Sequence, residues 1–105
     1  MDRPIKIAHF GVGRMGRMII QYELDKQGSI VAAFDTNPEL IGQDLGAILV
    51  STPIGVAISA MDDAARVLAE VKPDICTIST KGTLAEMQEL MELCCRAGAN
   101  VVTIG

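Results

Sequence analysis

Two kinds of apolar pattern alternate along the chain. Short, nearly continuous apolar runs read as buried strands; longer runs with apolar residues every three or four positions read as amphipathic helices. Ile5 to Phe10 is apolar apart from Lys6 and His9, the composition of a central strand covered on both faces. Residues 14–26 follow as a helix, with Met15, Met18, Ile19 and Tyr22 as its expected inward stripe and Gly28 as its stop. Ile30 to Phe34 is the second strand, and Asp35-Thr36-Asn37-Pro38 turns the chain. Residues 38–54 show no long helical face; Gly42, Gly46, Pro53 and Gly55 punctuate short turns around Leu40-Ile41 and Leu45 to Val50. Val56 to Ser59 reads as a third, short strand. Ser59-x-x-Asp62 has the form of a capping box opening a helix whose stripe is Ala64, Val67, Leu68 and Val71. Lys72-Pro73-Asp74 ends that helix, because proline cannot continue the ladder. Ile75 to Ser79 is the fourth strand and Thr80-Lys81-Gly82-Thr83 the turn after it. A second capping box, Thr83-x-x-Glu86, opens a helix with Leu84, Met87, Leu90, Met91 and Cys94 inward. Gly98 stops it, and Val101 to Ile104 is the fifth strand.

Strands alternating with helices predict a parallel sheet with right-handed crossovers. The expected architecture is one α/β domain over residues 1–105, a Rossmann-type doubly wound sheet of five strands in the order 3-2-1-4-5. Its topological switch point falls between strands one and four. Ligands of such sheets bind there, at the carboxyl ends of the strands.

The residues at that point carry a specific chemistry. Gly11-Val12-Gly13-Arg14-Met15-Gly16 joins the first strand to the first helix, the Gly-x-Gly-x-x-Gly spacing of a dinucleotide-binding turn. Gly11 allows the tight turn, Gly13 lets backbone approach a pyrophosphate, and Gly16 lets helix pack on strand. The helix start at Arg14 and Met15 offers free N–H groups and partial positive charge to phosphates. Arg14 and Arg17 oppose the helix dipole, a placement that suits either a docked anion or two solvated arginines. Asp35 stands 19 residues after Gly16, at the end of the second strand, where a carboxylate accepts bonds from the adenosine ribose. It is followed by Thr36 and Asn37 rather than an arginine, which favours NAD over NADP, although Arg14 could still swing toward a 2′-phosphate. Ser79, Thr80 and Thr83, across the crevice, are candidates for the nicotinamide ribose. Asp44 reads as a surface turn residue sooner than a ligand contact, and His9, the single histidine, as a hydrogen-bonded core residue.

Composition narrows the classes. Half of the residues are hydrophobic but only three are aromatic, so the core is built from aliphatic side chains, Met and Ala. A net charge of −4 without a basic block argues against nucleic acid or an anionic membrane as partner. No apolar run approaches the roughly 20 residues that span a bilayer, and Met1-Asp2-Arg3-Pro4 lacks a signal-peptide layout. Cys76, Cys94 and Cys95 read as reduced thiols packed in elements, which points to a cytoplasmic protein. With one histidine and no Cys-x-x-Cys, no metal site is expected.

Gly13-Arg14-Met15-Gly16-Arg17 resembles the glycine turn of the dihydrodipicolinate reductase-like dehydrogenases, and Gly42-Gln43-Asp44-Leu45-Gly46 is similar to a Gly-x-Asp-x-Gly loop of that family. Asp35-Thr36-Asn37-Pro38, Lys72-Pro73-Asp74 and Ala97 to Val102 look most like the 2,4-diaminopentanoate dehydrogenases among them. The resemblance implies an NAD(P)-binding domain of an oxidoreductase acting on an amino-acid-derived substrate. The implied reaction is oxidative deamination with hydride transfer to NAD(P), or, in the reductases, reduction of a lysine/diaminopimelate precursor. It also implies that substrate and catalytic residues, and a homo-oligomer interface, belong to a second domain absent from this sequence, leaving no catalytic residue here; Lys81 reads as a solvated turn lysine. Two readings of other kinds are a non-catalytic NAD-sensing regulatory module and an S-adenosylmethionine domain, the latter disfavoured by the Gly16 spacing.

Overall fold

A computed structural model of the chain describes residues 4–26, 28–49, 54–79 and 84–103. Five strands form one parallel sheet: β1 (Lys6–Phe10), β2 (Ser29–Asp35), β3 (Ile58–Ala60), β4 (Ile75–Ile78) and β5 (Asn100–Thr103). Their order is β3-β2-β1-β4-β5, as the alternation predicts. The helices are α1 (Arg14–Asp25), the single-turn α2 (Leu45–Ile48), α3 (Ala64–Val71), which a 3-10 turn (Met61–Asp63) precedes, and α4 (Leu84–Arg96).

Both faces of the sheet are covered, and each has its own core. Ala8 and Phe10 of β1, Ala32 and Phe34 of β2 and Cys76 and Ile78 of β4 meet Ala64 and Leu68 of α3 and Cys94 of α4. The Phe10 and Phe34 rings stack with centroids 4.6 Å apart. On the opposite face Ile7, Ile30, Ala33 and Ile58 pack with Val12, Ile20 of α1 and Leu45 of α2. A register shift divides β1 from β2: Ile7 pairs with Ile30 but Ala8 pairs with Ala32, so Val31 is an extra residue. This bulge reverses the parity of β2, which is why Ile30 and Ala33, three apart, share one core.

Three expectations are corrected. The inward stripe expected of α1 fails at Met18 and Tyr22, which are 69% and 63% exposed, while Gly16 and Ile20 are buried and Leu24 half-buried. The missing Cβ of Gly16 lets backbone approach backbone, and that contact sets the rotation of the helix. At 100° per residue Met18 and Tyr22 are then turned outward, and Lys26 lies over the Tyr22 ring. On α4, Met91 is exposed and Leu93 is packed on the core in its place. Ser59 does not cap a helix either; β3 runs through it to Ala60, and neither the 3-10 turn nor α3 has a side-chain cap. The strand pairing Phe34↔Ser59 engages the backbone that a cap would need to release.

Helix stops behave as read. Lys72 closes α3 in the left-handed region (φ 48°) before Pro73. Gly98 (φ 83°) closes α4, with the Ala99 N–H returning to the Cys94 carbonyl. Asp74 then ties the lower end of the sheet: its carboxylate accepts from the Lys6 N–H at 2.9 Å, and its own N–H donates to the Lys6 carbonyl. Among the described residues no helix is long and apolar enough to cross a membrane, and no cluster of metal-ligating side chains occurs.

Candidate functional site

β1 and β4 stay paired to their ends at the switch point, Phe10 opposite Ile78, and the glycine turn follows β1 directly. Gly11 leaves β1 with φ 101°, a conformation that side chains disfavour, and its N–H donates to the Phe34 carbonyl at 2.8 Å. Gly13 is the N-cap of α1; it brings no side-chain cap, and no acidic residue lies in the first turn. The helix start therefore keeps its positive end uncompensated, as an anion site requires. A Cβ on Gly13 would meet nothing within 4 Å, so the approach to that backbone is open. A Cβ on Gly16 would lie 2.1 Å from the Gly11 carbonyl oxygen and 3.0 Å from Ser79 Oγ. The two glycines thus have separate jobs: Gly16 closes the helix onto the turn, and Gly13 leaves a surface free.

Asp35 braces the turn from β2. One carboxylate oxygen accepts from the Val12 N–H at 2.7 Å and the other from the Asn37 N–H at 2.9 Å. The carboxylate sits beside the turn, where the ribose was expected, and is held there by backbone. Arg17 reaches back so that its Nε donates to the Val12 carbonyl at 3.0 Å. The backbone of Arg14 and Met15 forms the first turn of α1. Ser79 follows β4 directly; its N–H donates to the Phe10 carbonyl at 2.9 Å. Its Oγ lies 3.2 Å from that carbonyl and 3.3 Å from the Gly11 carbonyl. Thr80 and Thr83, with Lys81 and Gly82, lie outside the described residues. The structure thus gathers Gly11, Gly13, Gly16, Asp35 and Ser79 around one crevice.

Asp44 belongs to the loop instead. Its carboxylate accepts N–H bonds from Gly46 (2.8 Å), Ile54 (2.9 Å) and Gly55 (2.8 Å), capping α2 and tying its start to Ile54 and Gly55. These donors, Ile54 foremost, hold its pKa below the ordinary carboxylate value.

A polar network beneath the turn is not evident from any one motif. His9 on β1 is fully buried, as expected of a core histidine, and its Nε2 is 3.2 Å from Ser79 Oγ. Its Nδ1 faces Glu23 Oε1 of α1 at 3.6 Å, and neither atom has a hydrogen-bond partner. The other Glu23 oxygen accepts from the Thr77 hydroxyl at 2.8 Å. Each residue carries a partial signal: His9 and Thr77 are polar positions inside largely apolar strands, and Glu23 stands seven residues after Gly16, two turns along the inward face.

The family model for the N-terminus of dihydrodipicolinate reductase matches residues 5–105. An amine dehydrogenase from Mycobacterium smegmatis superposes with a TM-score of 0.87 at 38% identity, over 96% of this chain and 30% of the enzyme. The redox-sensing transcriptional repressor Rex of Latilactobacillus sakei is 33% identical over 95 residues, which cover 87% of this chain and 42% of the repressor. A Rex-family repressor, RSP, solved with NAD+ and operator DNA, superposes with a TM-score of 0.72 at 19% identity, over 96% of this chain and 51% of the repressor, and shares the fold. The chain thus spans less than half the length of the curated relatives it matches.

Proposed function

Because this chain belongs to the dihydrodipicolinate reductase N-terminal family, we propose that it is the dinucleotide-binding domain of an NAD(P)-dependent oxidoreductase. The observation that carries the reading is the turn itself: Gly13 at an open helix start, Gly16 packed on Gly11, and the Asp35 carboxylate bonded to the Val12 N–H. Gly11, Gly13 and the first turn at Arg14, Met15 and Gly16 hold the pyrophosphate. Asp35 holds the adenosine ribose through the lone pairs its backbone bonds leave over. Ser79, with Thr80 and Thr83, borders the nicotinamide ribose. NAD is the preferred cofactor, since Asp35 repels a 2′-phosphate. When bound, the cofactor supplies hydride exchange at the nicotinamide; this chain's residues bind and orient it.

The substrate is amino-acid-derived and the reaction most like that of 2,4-diaminopentanoate dehydrogenase, an oxidative deamination. Likeness to the Mycobacterium smegmatis amine dehydrogenase supports a carbon–nitrogen bond as the reacting centre. Reduction of a dihydrodipicolinate-type precursor is the alternative chemistry. Catalytic groups come from a second domain, which also carries any homo-oligomer interface. Nucleic acid is left out of the partners because the net charge is −4 with no basic block, and so is a membrane; the compartment is the cytoplasm.

Calorimetric titration with NADH and NADPH tests the site. NADH binding more tightly than NADPH is expected, and Gly13→Val should abolish binding while leaving the fold intact. Unchanged affinity in that variant would overturn the assignment. The Rex similarity favours a second reading, a non-catalytic NAD sensor. Amine-dependent reduction of NAD+ by the full reading frame separates the two, because a sensor binds both cofactor forms and turns over neither.

A further inference from the structure

The buried set Glu23–His9–Ser79 has one feature that packing does not require: two polar atoms, His9 Nδ1 and Glu23 Oε1, face each other at 3.6 Å without hydrogen-bond partners. Hydrogen counting gives two arrangements that resolve them, differing by one proton and by the direction of the Ser79 hydroxyl. Ser79 Oγ has one proton and three neighbours: the Phe10 carbonyl, the Gly11 carbonyl and His9 Nε2. The carbonyls only accept. If Ser79 donates to either carbonyl, Nε2 must carry a proton and donate to Oγ. A neutral ring then presents a bare Nδ1 lone pair to the Glu23 carboxylate. One more proton, on Nδ1, satisfies every atom: Nδ1–H donates to Glu23, Nε2–H donates to Ser79, and Ser79 donates to the glycine turn. Without it the neutral ring keeps its proton on Nδ1, and Ser79 turns to donate to Nε2 instead. Glu23 suits the carboxylate role, because its other oxygen accepts from Thr77.

We propose that His9 and Glu23 are positioning residues whose shared proton sets the direction of the Ser79 hydroxyl, coupling proton uptake to dinucleotide binding at the glycine turn. The inference rests on the dinucleotide reading above. Two effects have the same sign. The protonated pair is neutral overall, whereas loss of the proton leaves one buried negative charge beneath the turn that receives the pyrophosphate. Protonation also ties Ser79 to the Phe10 and Gly11 carbonyls, fixing the two sides of the crevice. Affinity is therefore higher at low pH and falls as the pair loses its proton. Among the described residues, the strand neighbours of His9 are Ala33 on β2 and Thr77 on β4, α1 supplies Glu23, and Arg17 turns to the Val12 carbonyl.

His9 is the single histidine, so its ring gives one resolved pair of carbon-bound proton signals in an NMR spectrum. The test measures the NADH dissociation constant from pH 6 to 9 and follows that signal over the same range, free and saturated with NADH. The wild-type dissociation constant should rise about fivefold or more across the range, and the histidine curve should move to higher pH by the logarithm of that factor when NADH is bound, as reciprocity demands. Glu23→Gln and His9→Gln should each flatten the pH profile of NADH binding. A purely structural role would weaken binding equally at every pH. Retention of the full pH dependence in a folded Glu23→Gln variant would overturn the proposal. Should the variants not fold, the wild-type histidine curve decides alone: a shift with NADH supports the coupling and coincident curves overturn it. NADH binding with a flat pH profile refutes the coupling alone, whereas no binding at any pH refutes the dinucleotide reading beneath it as well.

Discussion

Replacing Gly16 by alanine should loosen the whole front of the domain, and the structure gives the size of the effect. The new Cβ would stand 2.1 Å from the Gly11 carbonyl oxygen and 2.9 Å from its carbon, both backbone atoms. An ordinary carbon–oxygen contact needs roughly an ångström more, so the start of α1 must lift from the turn by about that distance. Ile20 and Leu24, one and two turns further along, lose contact as it lifts. Overpacking of this kind costs about 1–3 kcal/mol. Alanine recovers up to about 1 kcal/mol of helix propensity. Taking the middle of each range, about 2 less about 0.5, the net loss is about 1.5 kcal/mol, or a fall of roughly 6–12 °C in the unfolding temperature of a domain this size. Thermal unfolding followed by circular dichroism measures it. Gly13→Ala is the matched control, because no atom lies within 4 Å of its Cβ and its backbone is extended (φ −77°). It should change the unfolding temperature by a few degrees at most while weakening NADH binding. A Gly16→Ala variant that melts at or above the wild-type temperature would refute the argument that this contact fixes the helix.

Asp35→Asn should keep an acceptor for the Val12 N–H but lose the charge, costing about 1 kcal/mol of stability and moving the NADH to NADPH affinity ratio toward NADPH. Equal ratios in variant and wild type would count against Asp35 as the discriminating group. Backbone donors hold the Asp44 pKa below its ordinary value, so its contribution is complete above the usual carboxylate range and is lost as pH falls through the lowered folded value. Amide exchange at Gly46, Ile54 and Gly55 should accelerate together in Asp44→Ala at neutral pH. Cys95 is exposed, whereas Cys76 and Cys94 are buried against each other, and the hydrogen bond with Cys76, then burial, hold Cys94 as a thiol far above its usual range. Iodoacetamide should therefore modify one cysteine of the native chain and three after denaturation, read by mass spectrometry.

The sheet was legible because each strand and crossover carries its own local signal, and right-handed connection leaves few arrangements to choose among. The rotation of α1 was not. Met15, Met18, Ile19 and Tyr22 form a better apolar stripe than the true inward face, which includes a glycine and a glutamate. A pattern of side chains cannot show that the closest contact is made where a side chain is missing. Ser59-x-x-Asp62 misled in another way, since a capping box is local whereas the pairing of Ser59 with Phe34 is not. Asp44 was identified as a turn residue, but its reach to Ile54 and Gly55 spans a gap that short-range rules do not cover. The polar network was hidden for the same reason: Glu23 and Thr77 lie 54 positions apart, and each alone looks like an ordinary substitution in its element.

The extra residue in β2 also governs where the chain tolerates changes of length. Beyond Val31 the strand alternates so that Ala33, and two residues later Asp35, lie on the α1 side, where Val12 waits for the carboxylate. Deleting Val31 would leave Ile30 and Ala33 two apart and still on one face, with Ala32 opposite Ala8 and Asp35 beside Val12 as before. Removing one residue anywhere from Ala32 to Phe34 instead reverses the parity of Asp35 and sends its carboxylate toward α3. The bulge thus marks where β2 has length to spare, and the three residues between it and the acid mark where length is fixed. The connection after Asp35 is bound by no such parity, so insertions near Pro38 to Ile41 leave the crevice intact.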